Sequence, residues 1–386
     1  MNILTLNAGS SSIKYKVYDQ GLNPIISGLI EGIGESESVW HHRKENKETS
    51  KHHFQNHEQA FAALGKKFEL ALKDYPIHGV GHRVVHGGNL YFKPTIINAE
   101  VLAEIRALSK LAPIHNPINA LGIQFALEQF PEALQVAIFD NGFHHTMPAH
   151  VSHYAINAAI ANQYQIRRYG FHGINHEYVA KQAALFLKKD LKNCNFISLH
   201  LGNGASACLI KNGESFDTSM GMTPLAGLVM GTRCGDIDPA IALYLQEQGL
   251  TWTEVDKLLN KQSGLKGLAD ENDMRKLIVR ALANDEPAKL AIDIFVYAVQ
   301  KIIGAYYTQL SFIDALIFTG GVGENASFIR EKILAPLQHL DFKVDTKLNV
   351  MPSEEICHPI SKSGIPILVI RGDEEVLMAE KVAELS

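Results

Sequence analysis

The sequence predicts an α/β protein built as two related halves. Two observations carry this. Strand and helix patterns alternate along most of its 386 residues. A strand–turn–strand unit with a turn of small residues also occurs twice, at Leu4 to Lys14 and at Ser198 to Ala207. In the first unit, apolar residues run up to Asn7. Ala8-Gly9-Ser10-Ser11-Ser12 follows with almost no side-chain bulk. Ile13, Tyr15 and Val17 then alternate with Lys14, Lys16 and Tyr18, the period of a half-buried strand. Backbone N–H groups, the serine hydroxyls and Lys14 make such a turn a cradle for phosphate. The second unit, Ser198-Leu199-His200-Leu201-Gly202-Asn203-Gly204-Ala205-Ser206-Ala207, repeats the construction. Two such hairpins imply a duplicated nucleotide-binding fold with a cleft between its halves.

The remaining elements follow in order. A polar stretch from Gly34 to His57 holds His41, His42, His52, His53 and His57. Adjacent histidines do not share a face, so a solvated loop or edge hairpin is favoured over a metal site. Phe61, Leu64, Phe68, Ala71 and Leu72 form one face of a helix over 58–74. A second helix over 99–111 ends before Pro113. Gln135 to Phe139 reads as a buried strand that delivers Asp140 at its end. A long helix is expected over 287–310. Ala315 to Thr319 is a buried strand opening onto the glycine-rich turn 320–325, with a helix from about Ala326. A strand over 365–370 precedes a terminal helix from Glu374. The expected domains are 1–144 and 145–374, with a hinge near 140–148 and residues 375–386 returning to the first domain.

Apolar residues make up 46% of the chain, charged residues 20%, and the net charge is −5. These values describe an ordinary globular protein and give no electrostatic case for nucleic acid or an anionic membrane. No apolar run approaches the ~20 residues of a membrane helix. The N-terminus enters a strand directly, without a signal sequence, so a cytoplasmic location is expected. Cys194, Cys208, Cys234 and Cys357 lack metal-ligand spacing and read as reduced thiols.

Neither G-x-x-x-x-G-K-[ST] nor a helix-opening G-x-G-x-x-G occurs. Phosphate binding must rest on the hairpins and on 319–325, where glycines allow close backbone approach. A tight strand-to-helix connection explains those glycines equally well. Arg83 and Arg233 lie among glycines and apolar residues. Each is either a bidentate grip on a carboxylate or phosphoryl group, or half of an ion pair; for Arg233 the pair would be with Asp236 or Asp238. His115, His172 and His200 lie in similar settings, as donors or bases or as hydrogen-bonded core residues. Asp140 and Glu374-Glu375 are candidate carboxylates for a divalent ion, though Glu374 also suits the first turn of a helix. Together these residues describe a site for a small anion and a polyphosphate with Mg²⁺, as phosphoryl transfer requires.

Seven collinear motifs resemble the acetate kinase family, of the superfamily that includes hexokinase, actin and the heat-shock chaperone ATPases. They are Leu6 to Ser12, Gly81 to Gly88, Leu111 to Pro117, Tyr169 to Gly173, His200 to Ser206, Met230 to Pro239 and Gly320 to Asn325. The resemblance implies a two-domain actin/hexokinase-like fold of ribonuclease-H-like type. It also implies Mg²⁺-dependent transfer of the ATP γ-phosphoryl group to acetate, with Mn²⁺ as a substitute ion, in a homodimer. Asn7, Ser10, Ser12 and Lys14 would line the phosphate and metal region. Arg83 and Arg233 would hold the carboxylate and the phosphoryl group, and His172 would bond the group in transfer. His115 and His200 would lie near the phosphates, and Asp140 and Glu374 would hold the ion. The nucleotide would meet Leu201, Gly202, Asn203, Gly204, Asp273, Met274, Arg275, Gly321, Val322, Gly323, Glu324 and Asn325. Val85, Ile114, Phe171 and Pro224 would form the acyl pocket. Propionate or another short-chain acid is the alternative substrate, and a non-metabolic ATPase switch the alternative class. Three departures from the family pattern stand out: Asn141-Gly142 after Asp140, Gly372-Asp373 before Glu374, and Ile114 in the acyl pocket.

Overall fold

Strands β1 (Asn2–Ala8) and β2 (Ser12–Tyr18) form the first hairpin, with Asn7 opposite Lys14. The computed structural model describes residues 1–386 and divides into two units: Met1–Phe143 with Asp373–Ser386, and His144–Gly372.

In the first unit, β3 (Pro24–Glu31), β4 (Ser38–Arg43) and β5 (Lys47–His52) continue the antiparallel sheet outward from β2. On the other side of β1, β6 (Ile77–Val84) and β8 (Leu134–Phe139) add in parallel, and the short β7 (Thr95–Ile96) closes the edge. Of the five histidines in the polar stretch, His41, His42 and His52 lie on the edge hairpin β4–β5. His41 bonds Thr49, His42 bonds the Tyr15 hydroxyl, and His52 bonds Ser50.

Helix α1 (His57–Ala71) starts where the Asn56 side chain accepts from the Gln59 N–H. Its Phe61 stacks on Phe125 of α3 (Asn116–Gln129), and both helices pack on the strands around β1. Helix α2 (Ala99–Ala107) gives way to a 3₁₀ turn at Leu108–Lys110. The terminal helix, Glu374–Ala383, packs on β1, β6 and β8.

In the second unit, α4 (Ala149–Ser152) and α5 (Ala158–Gln163) precede α6 (Gly173–Leu187). Strands β9 (Phe196–Leu201), β10 (Ala205–Lys211) and β11 (Glu214–Thr218) are antiparallel neighbours. Helices α7 (Ala240–Glu247), α8 (Trp252–Lys261), α9 (Gly264–Ala269), α10 (Met274–Leu282) and α11 (Glu286–Tyr307) follow. Phe295, Val299 and Ile303 of α11 are buried, and the helix packs on β9 and β10. Strand β12 (Ala315–Thr319) pairs in parallel with β9. The sheet is completed by β14 (Cys357–Pro359) and β16 (Ile367–Ile370), while β13 (Phe342–Val344) and β15 (Ser361–Gly364) form a separate ribbon.

The two sheets share one plan. Each has an antiparallel three-strand meander whose first strand is flanked by two further strands added in parallel, β6 and β8 in one unit and β12 and β16 in the other.

One local expectation needs correction. Residues 320–325 are not an open glycine turn but a helix, α12 (Gly320–Asn325), followed by α13 (Ser327–Leu334). Gly320, at φ +76°, turns the chain sharply out of β12. The Glu324 carboxylate then accepts from the Gly320 N–H at 3.0 Å and so satisfies a donor the helix start leaves open. The same carboxylate oxygen accepts from the Gly372 N–H at 3.0 Å.

Candidate active site

In the first unit, three strand ends bring Asn7, Arg83 and Asp140 together. Asn7 lies near the end of β1, Arg83 near the end of β6, and Asp140 directly after β8. Arg83 Nη2 donates to Asp140 Oδ2 at 2.8 Å, and Nη1 donates to Asn7 Oδ1 at 3.3 Å. Its Nε lies 3.8 Å from Glu374 Oε2, on the first turn of the terminal helix. The Asp140 side chain is 1% exposed and that of Arg83 16%. Burial works against the charge of Arg83, but Asp140 and Glu374 outweigh it and hold the guanidinium more firmly protonated.

Glu374 has the opposite balance. Burial, then the negative charges of Asp140 and Glu375, raise its carboxyl to about 7 against the pull of Arg83 and Lys14. Lys14 is held on Glu375 at 2.8 Å, and Lys16 on Asp373 at 2.8 Å. Burial opposes the Lys14 charge as well, and Glu375 leads the carboxylates that keep it protonated. These crowded carboxylates fit a divalent cation, which would relieve the repulsion that raises Glu374. Mg²⁺ needs only one or two protein carboxylates and fills its other positions with water and phosphate.

Three buried asparagines fix the backbone after Arg83, and the sequence reading missed two of them, Asn116 and Asn119. Asn119 Oδ1 accepts from the Val85 N–H at 3.0 Å, Asn116 Oδ1 from His86 at 3.2 Å, and Asn141 Oδ1 from Gly87 at 3.0 Å. The Asn141 departure therefore has a structural use. Val85 is buried, Ile114 is 48% exposed, and His115 stands half-buried at the start of α3. Ser10 is exposed at the hairpin turn and Ser12 half-buried.

In the second unit, the hairpin β9–β10 meets the start of α6. His172 is the residue before α6 and takes left-handed backbone angles, φ 58° and ψ 21°. Its ring stacks on His200 with centroids 4.3 Å apart, and its Nδ1 lies 2.8 Å from Ser206 Oγ. His200 Nδ1 is 2.7 Å from the Asn175 amide nitrogen. The amide N–H donates there, which leaves the His200 proton on Nε2.

Gly204 keeps this space open. A Cβ there would lie 3.4 Å from the His172 ring and 3.9 Å from Arg233 Nη1. Arg233 therefore shares a neighbourhood with His172 and the hairpin turn. Its guanidinium makes only weak contacts, to the Pro224 carbonyl at 3.4 Å and the Met230 sulfur at 3.7 Å. The ion pair with Asp236 or Asp238 does not form. Asp236 accepts from the Gly227 N–H and Asp238 from the Ala240 N–H. Burial alone lowers the Arg233 pKa below the ordinary guanidinium value. A half-buried cation without a carboxylate can receive an anionic ligand.

Gly231 N–H bonds the Asn203 carbonyl at 2.9 Å, which joins the Arg233 segment to the hairpin turn, and Asn272 Nδ2 bonds Asn203 Oδ1 at 3.2 Å. Asp273 caps α10 and grips Arg275 at 2.6 Å. Leu201, Met274 and Gly323 are buried, Gly202 and Val322 half-buried, and Gly321 and Asn325 exposed. Phe171 is buried and Pro224 half-buried.

The model of the Acetokinase family matches residues 2–380. The chain belongs to the acetokinase family. Its fold is thus the duplicated actin/hexokinase-like α/β fold, of which the repeated sheet plan is the visible sign. Acetokinase relatives match it from end to end. An acetate kinase of Campylobacter concisus is 44% identical over all of this chain and 98% of its own length, and one of Helicobacter pylori is 44% identical over all of this chain and 99% of its own. Among solved structures, a propionate kinase from Francisella tularensis superposes with a TM-score of 0.93 at 41% identity, covering 99% of both chains. An acetate kinase from Porphyromonas gingivalis superposes with a TM-score of 0.91 at 36% identity, covering 100% of this chain and 99% of its own.

Proposed function

We propose that this acetokinase transfers the γ-phosphoryl group of ATP to acetate, reversibly, giving acetyl phosphate and ADP. The observation that carries the reading is the end-to-end similarity to acetate kinases at 44% identity. Arg233, which has no carboxylate partner and lies beside His172, supports it chemically.

The transfer is direct and in-line, with no phosphoenzyme. Arg83, kept charged and oriented by Asp140, aligns the acetate carboxylate. Arg233 and His172 donate hydrogen bonds to phosphoryl oxygens as charge develops there. The small residues of β9–β10 and α12 let the backbone approach ATP, and Asp273 to Arg275 flank the adenosine. Asp140 and Glu374, with Asn7, would hold Mg²⁺ or Mn²⁺. The chemistry such an ion supplies is neutralisation of charge on the β- and γ-phosphates. Ser10, Ser12, Lys14, His115 and His200 serve the phosphates, and Val85, Ile114, Phe171 and Pro224 bound the acyl methyl group. A cytoplasmic homodimer belongs to the same reading. Exposed Ile241, Leu243 and Tyr244 on α7 and Trp252 on α8 offer apolar surface for a second copy. No helix is long and apolar enough to cross a membrane.

The test is an acyl-chain series. With ATP and hydroxylamine trapping of the acyl phosphate, kcat/KM is measured for formate, acetate, propionate and butyrate. Acetate is expected to lead, each added methylene being worth about 1–3 kcal/mol. A peak at propionate would establish the second reading, which the similarity to the Francisella tularensis enzyme favours. Absence of any acid-dependent product would refute both.

A further inference from the structure

We propose that Ser198, His176 and Ser206 are positioning residues that fix the His172 ring with its proton on Nε2. The inference rests on His172 acting as a phosphoryl donor, and it concerns how the ring is made ready to donate.

The four side chains form one continuous chain. His172 Nδ1 lies 2.8 Å from Ser206 Oγ, which lies 2.8 Å from His176 Nε2, and His176 Nδ1 lies 2.9 Å from Ser198 Oγ. A hydroxyl has one hydrogen and a neutral imidazole has one N–H. His176 is fully buried and neutral, because burial and then His144 and His200 push its pKa well down. The chain can therefore run in only two senses, and choosing the donor at one end sets every proton to the other.

The choice is made at Ser198. Its side chain is fully buried on β9, and its hydroxyl makes one hydrogen bond, to His176 Nδ1. If His176 donated to Ser198, the serine hydrogen would be buried without an acceptor, which is unfavourable. If Ser198 donates, only acceptor lone pairs go unused, and no hydrogen is left without a partner. Ser198 therefore donates to His176 Nδ1, His176 Nε2–H donates to Ser206, and the Ser206 hydroxyl donates to His172 Nδ1. The His172 proton is left on Nε2, the nitrogen not engaged by Ser206. This resembles the way a carboxylate sets the tautomer of a catalytic histidine, except that the anchor here is a serine on a core strand.

Nitrogen NMR of the imidazole rings in the full-length enzyme reads the arrangement directly. The expected result for the wild type is His172 protonated on Nε2 and His176 on Nε2. Ser206→Ala should give a mixed His172 tautomer and lower kcat about tenfold, short of the ~10²–10³-fold cost of deleting a preorganised donor, with KM for ATP and acetate unchanged. Ser206→Thr, which keeps the hydroxyl, should restore both readouts. Ser198→Ala should shift the tautomers of both rings although it lies two side chains away from His172. A wild-type His172 protonated on Nδ1 overturns the proposal, and so does Ser206→Ala with wild-type tautomer and kcat. The wild-type spectrum does not depend on any variant folding. An enzyme inactive on every acid would remove the functional reading instead, while the spectrum would still decide the proton arrangement.

Discussion

Arg83 meets Asp140 through a single charged hydrogen bond, Nη2 to Oδ2 at 2.8 Å, where two parallel strands end side by side. The aspartate is the more deeply buried partner. Replacing it leaves the guanidinium with only the more distant Glu374 and Glu375 for balance. Asp140→Asn should therefore destabilise the protein by about 3 kcal/mol, read by urea unfolding, and raise the Mg²⁺ concentration needed for half-maximal rate. Unchanged metal dependence would remove Asp140 from the ion's surroundings.

Arg233 is the counter-case. It has no carboxylate to abandon, so Arg233→Ala should scarcely alter the thermal midpoint while kcat falls ~10²–10³-fold. Kinetics and thermal melts on the same preparation separate the possibilities. A large loss of stability with modest loss of rate would mark the arginine as structural.

Glu374 gives a pH test. Its carboxyl sits near 7 in the folded protein against an ordinary 4.5. Protons would compete there with the ion we propose Glu374 holds, so the Mg²⁺ midpoint should rise as pH falls through 7. For the metal-free fold the sign is reversed. The stability that a raised pKa contributes is full below 4.5 and is lost as pH rises through 7. Mg²⁺ titrations at several pH values, with Glu374→Gln as the flat control, check this; a wild-type midpoint independent of pH would contradict it.

His82 titrates in the other direction. It is buried on Gln135 and burial pushes its pKa to about 4, as it does for His86. A depressed histidine favours folding above its unfolded value of 6.5, and that contribution is lost as pH falls toward 4. Each group is worth on the order of 3 kcal/mol across that window, at about 1.4 kcal/mol per pH unit. His82→Gln should flatten the acid limb of a stability-versus-pH curve; an unchanged limb would place the acid sensitivity elsewhere.

Much of the fold was legible because its signals are local. The alternation from Ile13 to Val17, the apolar run into Asp140 and the face from Phe61 to Leu72 each announce one element within a few residues. Helix α3 was not legible. It buries Asn116 and Asn119 beside Ile123 and Ala126, so its inner face is partly polar and no apolar stripe stands out. Helix α12 was hidden by its glycines, which propensity assigns to a turn. Its Glu324 cap compensates, an interaction visible only once the chain has folded. The candidate residues themselves stood out by type and setting. Their partners did not: whether Arg233 is paired, and which serines hold His172, depend on contacts between residues far apart in sequence.

His172 carries one further consequence. A residue with a Cβ in left-handed backbone angles costs roughly 1–2 kcal/mol relative to glycine. Glycine at this position would relax the start of α6 and delete the ring in the same step. A population of such proteins selected only for heat resistance would tend to discard the ring that we propose bonds the phosphoryl group. The left-handed turn at His172 is thus a place where selection for durability and selection for turnover pull on one codon in opposite directions.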